Sequence, residues 1–74
     1  MNKYDRVIID KNDKSVTATI DVYSVLQAFE VQNSALQHLV KKALCAGLRG
    51  HKNKEQDLQD IIDSAVRAKQ LEIK

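Results

Sequence analysis

The sequence predicts an α+β fold in a single domain spanning residues 1–74: a β-hairpin, then three helices, the last two an antiparallel helical hairpin. Three observations predict it. Residues 1–20 hold two β-branched runs around a turn-like cluster. From Asp21 onward the apolar period changes from two to nearly four. A glycine-bounded loop then separates two strong helix starts.

Within residues 1–20, Arg6-Val7-Ile8-Ile9 and Val16-Thr17-Ala18-Thr19-Ile20 are the strand candidates, and Asp10-Lys11-Asn12-Asp13-Lys14 is the turn. Strand alternation puts Val16, Ala18 and Ile20 on one face. The first helix, 21–30, starts on Asp21 as N-cap and sets Val22, Val25, Leu26 and Phe29 on one face. Glu30-Val31-Gln32-Asn33 connects it to the second helix, 34–47. There Ser34 and Gln37 read as a capping box. Leu36, Leu39, Val40, Ala43 and Leu44 form the expected core face, and Gly47 supplies a left-handed C-cap. Residues 48–53 form a basic loop. Asn53 with Gln56 repeats the capping pattern for the third helix, 54–72, whose expected core face is Leu58, Ile61, Ile62, Ala65 and Val66.

Tryptophan and proline are absent and Phe29 is the sole phenylalanine, so aliphatic residues must build the core. A chain this short buries only about 60% of its unfolded surface, and self-association is the usual remedy. A homo-oligomer is expected. A lone Cys45 excludes an internal disulfide and fits a reducing compartment. The chain shows neither an apolar leader nor a membrane-spanning run, so a cytoplasmic protein is expected, with no membrane partner.

The net charge of +2 is too small to mark a nucleic-acid binder by itself. Its distribution says more. Lys41, Lys42, Arg49, Lys52 and Lys54 fall in a stretch without an acid, whereas Glu55, Asp57, Asp60 and Asp63 follow without a base. Such blocks suggest a local anion site. On the second helix His38, Lys42, Cys45 and Arg49 recur at positions that share one narrow sector, given about 100° per residue. Arg49 joins that stripe only if the helix passes Gly47. The alternative is a solvated helix back. In the loop, Arg49 suits a two-pronged bond to phosphate, while His51 and Lys52 add polar and cationic groups. The backbone of Gly47, Gly50 and Asn53 offers amides at a helix start. The candidate ligand site is therefore His38, Lys42, Arg49, His51 and Lys52, on a nucleotide or another anionic ligand; a polar interhelical loop is the bland counterpart.

Gly47-Leu48-Arg49-Gly50 also matches the Gly-x-x-Gly loop with which K-homology domains clamp a nucleic-acid backbone. A nucleic-acid module is thus an alternative function, and a protein that binds a host factor through its cations is another. Tyr23, beside the apolar face of the first helix, reads as an amphipathic boundary residue; Tyr4 reaches out from the N-terminus. Asp57, Asp60 and Asp63 read as a solvated face, with Asp63 and Arg67 as an i, i+4 pair. The spacing of Cys45, His38 and His51 fits no known zinc pattern, and no catalytic constellation appears, so neither metal nor cofactor is expected and a binding protein is favoured over an enzyme.

The stretch from Ala35 to Lys52, followed by Glu55-Gln56-Asp57-Leu58, resembles the SaV-like domain family of small phage proteins. There a helix ending in a basic Ala-Gly segment precedes a helix led by Asp-Leu. One branch of that family occurs in phage nucleotide kinases without a P-loop. The resemblance implies a nucleotide near these helices, with Lys42, Arg49 and Lys52 facing phosphate, and a host-cell cytoplasmic location if phage-encoded. This chain lacks the family's N-terminal His-Tyr element and carries Ser64-Ala65-Val66 where the last helix has aromatics. A factor that sequesters or senses a nucleotide is the expectation that results.

Overall fold

The computed structural model describes residues 4–48 and 51–73. Strands β1 (Arg6–Ile9) and β2 (Thr17–Ile20) precede helices α1 (Val22–Ala28), α2 (Ser34–Cys45) and α3 (His51–Glu72). The α+β order is the expected one. β1 and β2 pair antiparallel, with Arg6 opposite Ile20 and Ile9 opposite Thr17. The turn is closed by acids: Asp10 Oδ2 accepts from the amides of Asn12 and Asp13, and Asp13 Oδ1 accepts from the Ser15 amide and hydroxyl. Short acids fold back on their own backbone in this way, which is why they punctuate strands.

Asp21 caps α1 as predicted. Its carboxylate accepts from the Ser24 amide at 2.9 Å, and the Ser24 hydroxyl accepts from the Asp21 amide at 2.8 Å. At the other end, the Val31 amide donates to Leu26 O and the Glu30 amide to Gln27 O. That pair of bonds is a Schellman closure, and it forces Glu30 into the left-handed region at φ 54°. Val22 and Leu26 are buried, but Phe29 at the far end of the expected face is 78% exposed. The chain reverses at Glu30, immediately after Phe29, which leaves the ring in solvent.

α2 begins at the expected residue with a different cap. Asn33, not Ser34, holds the N-cap: its Oδ1 accepts from the amides of Ala35 and Leu36. Gln37 turns away from the cap and donates to Val31 O at 2.7 Å. Asn33 prevails because its amide nitrogen also donates to Ala68 O and Glu72 Oε1 on α3, bonds a serine hydroxyl at that point could not span. The helix ends at Cys45, two residues short of Gly47, which does take positive φ at 83°. α3 starts at His51, so Asn53 is the third residue of a helix and not its cap. Extra intrahelical bonds here outweigh a cap worth about 1 kcal/mol.

α2 and α3 pack as the expected antiparallel hairpin, but through unexpected faces. The buried residues between them are Ala35, Asp57, Ser64 and Ala68. The predicted core residues Leu36, Ala43, Leu44, Leu58, Ile62, Ala65 and Val66 are exposed; Leu39, Val40 and Ile61 are half-buried. Polar anchors explain the rotation. Asn33 ties the start of α2 to the end of α3, while Lys42 and the Gly47 amide tie the end of α2 to Asp57. Small side chains at Ala35, Ser64 and Ala68 let the helices approach, leaving the larger aliphatic stripes outward.

Candidate functional site

Lys42 sits at the centre of the α2–α3 seam. Its Nζ lies 3.1 Å from Asp57 Oδ1 and 3.2 Å from Asp60 Oδ2. The other oxygen of Asp57 accepts from the Gly47 amide at 3.3 Å. Hydrogen bonds to Asp57 and then Asp60 raise the Lys42 ammonium above its usual range. Asp60 is lowered, first by the amide of Gln56 and then by Lys42. The acids expected to form a solvated face are therefore divided: Asp57 is buried in the seam, and Asp60 is half-buried beside it. Asp63 remains exposed and accepts from Gln59, while Arg67 donates to Gln70.

This geometry changes the role of one predicted site residue. One ammonium between two carboxylates carries no surplus positive charge, so Lys42 fastens the hairpin and is not on offer to phosphate. The helix end at Cys45 also breaks the stripe before Arg49. Arg49 and Gly50 lie outside the described residues. His51 and Lys52 belong to the first turn of α3, with side chains outside them as well.

His38 is where the hollows of the surface meet. One hollow of about 280 Å³ is lined by Tyr4, His38, Lys41, Lys42, Cys45 and Leu48, with Asp57 also contributing. The predicted grouping of His38, Lys42 and Cys45 on one side of α2 is thus realised, with Tyr4 and Lys41 added. A wider groove of about 650 Å³ runs between α1 and α2; Tyr23, Leu26, Gln27, Glu30, His38 and Lys41 are among its walls. Lys41 Nζ stands 5.9 Å from the centre of the Tyr23 ring, within cation–π reach. Tyr23 itself is 68% exposed, more open than a boundary residue.

No protein-family model matches the chain, and neither a curated protein nor a solved structure does. Function has to be argued from these residues. Lys41 makes no ion pair among the described residues, in contrast to Lys42 one position on. Sequence periodicity favoured Lys42 because it shares a sector with His38 and Cys45. The signal for Lys41 was the pairing i, i+3 with His38 and its place opposite an aromatic on the preceding helix, which only the α1–α2 angle reveals.

The sheet is two-stranded among the described residues, and Leu71 and Glu72 belong to α3. Among the described residues, no group of three His, Cys, Asp or Glu side chains is placed to hold a metal ion. None of the helices is long and apolar enough to cross a membrane, among those same residues.

Proposed function

We propose that the chain is a small binding protein whose α1–α2 groove takes a phosphate-bearing aromatic ligand, a nucleotide. The observation that carries this reading is the position of Lys41, an uncompensated ammonium poised over the exposed Tyr23 ring at the mouth of the groove. Lys41 and His38 contact the phosphate, and Tyr23 provides the face on which the base stacks. Gln27, Gln32 and Ser34 offer hydrogen bonds to base edges and sugar. Glu30 lines the same groove, and its like charge keeps phosphate toward Lys41. A volume near 650 Å³ lies within the range of small-ligand sites, about 300–1,000 Å³. The resemblance to a phage family that includes nucleotide kinases agrees with this ligand class.

Titration calorimetry against nucleoside mono-, di- and cyclic phosphates tests the reading. Lys41→Ala is expected to weaken binding about tenfold or more, the worth of one charge-assisted hydrogen bond. Tyr23→Ala is expected to weaken it comparably through lost stacking, and Lys11→Ala, on the distant turn, to leave it unchanged. No heat from any nucleotide at high micromolar concentration rejects the proposal.

A further inference from the structure

The chain has more surface than its mass warrants. A folded monomer of 8.4 kDa exposes about 4,600 Å², yet this one exposes 6019 Å². Its radius of gyration, 14.5 Å, likewise exceeds the roughly 11 Å of a compact 74-residue domain. The excess of about 1,400 Å² is larger than the ~800 Å² that each partner contributes to a standard stable interface.

Part of that surplus is an apolar stripe on one side of the helical hairpin. Leu58, Ile62 and Val66 are 48, 57 and 54% exposed along α3. At about 100° per residue their stripe stands well to one side of the Asp57/Ser64/Ala68 seam. On α2, Leu36, Val40 and Ala43 are displaced from the Ala35/Lys42 seam in the same rotational sense. Because the two helices run antiparallel, both stripes open on the same side of the hairpin. The β-hairpin divides its aliphatics between two sides, Val7 and Ile9 on one and Ile8 with Val16, Ala18 and Ile20 on the other, and lacks the complementary charges that flank the α3 stripe.

We infer that a second copy of the chain covers this side, with α3 packed antiparallel on α3 about a two-fold axis near Ile62. The charges at the ends of the stripe select the direction. Glu55 precedes Leu58, and Lys69 follows Val66, each in line with the apolar stripe. A parallel pairing sets Glu55 against Glu55 and Lys69 against Lys69. The antiparallel pairing centred on Ile62 sets Glu55 of each copy against Lys69 of the other and Leu58 against Val66. It is an isologous contact that closes on itself. α2 of each copy then lies over α2 of the other, completing a four-helix arrangement.

Sedimentation equilibrium of the full chain is expected to show a dimer at micromolar concentration. Ile62→Asp is expected to raise its dissociation constant by about a hundredfold or more, since two isoleucines leave the interface and two carboxylates enter it. If that variant unfolds, cross-linking in a Cys45→Ser background decides the matter. Ile62→Cys is expected to form a disulfide-linked dimer on mild oxidation, and Arg67→Cys, on a different side of α3, to form no disulfide. A mixture of Glu55→Cys and Lys69→Cys chains is expected to give the mixed disulfide. A monomer at 100 micromolar (a concentration of about 10⁻⁴ M, well above that of a stable dimer) overturns the inference. So do equal cross-linking at Ile62→Cys and Arg67→Cys, and two homodisulfides in the mixture.

Discussion

Asn33 offers the sharpest test of how this hairpin is held. Its oxygen caps α2 while its nitrogen bonds Ala68 O at 3.1 Å and Glu72 Oε1 at 2.9 Å. Replacing it with alanine removes a cap worth about 1 kcal/mol and an interhelical bond worth about another. The sum, about 2 kcal/mol, is a large share of the roughly 4–11 kcal/mol expected for a domain of this length. The midpoint of thermal unfolding is expected to fall by roughly 8–16 °C. Two further variants separate the contributions. Asn33→Ser keeps an N-cap oxygen and loses only the bridge, about half the total. Asn33→Asp also caps well, but turns a carboxylate toward the Ala68 carbonyl and Glu72, so it is expected to be less stable than the serine variant at neutral pH. The assay is urea unfolding followed by far-ultraviolet circular dichroism, at one fixed chain concentration because association would otherwise shift the midpoint. An aspartate variant as stable as the wild type would refute the bridge. A serine variant as damaged as the alanine one would refute the cap.

Glu30→Gly is expected to stabilise the fold by about 0.5–1 kcal/mol, because glycine adopts the left-handed conformation without the Cβ penalty; denaturation midpoints check it, and a loss would show that the Glu30 side chain matters more than its backbone. Stability is also expected to depend on pH at both extremes. Asp21 is lowered by bonds from the Ser24 amide and hydroxyl, and Asp60 by Gln56 and Lys42, so their contributions are complete above the ordinary value of 3.8 and vanish as pH falls through the lower folded-state values. Lys42 is raised, so its contribution is complete below 10.5 and is lost as pH climbs past its higher folded-state value. Asp21→Asn should flatten the acid limb in a pH series of unfolding curves; an unchanged limb would contradict the assignment.

What was legible in the sequence was local. The Asp10–Lys14 turn, the Asp21 cap and the positive φ of Gly47 all follow from short-range chemistry, and all were anticipated. Ser34 has the better local pattern for a cap, and only the approach of Ala68 and Glu72, more than thirty residues away, tips the choice to Asn33. The buried faces of α2 and α3 escape local pattern for a related reason. Periodicity identifies the apolar stripe correctly, but it assumes that the stripe meets the neighbouring helix of the same chain. Here Lys42 and Asp57 claim that contact, and Leu58, Ile62 and Val66 are left facing out. The candidate site suffered likewise: a helical wheel ranks Lys42 with His38, yet cannot register that two carboxylates arrive from α3, or that Tyr23 arrives from α1 beneath Lys41.

The seam of Ala35, Ser64 and Ala68 sets what the hairpin can tolerate. Little volume is available there for larger side chains, so change at those positions is constrained. The outer side of the hairpin meets no such restriction from its own chain. Substitutions there are expected to change what the hairpin presents to its surroundings while its own packing is kept.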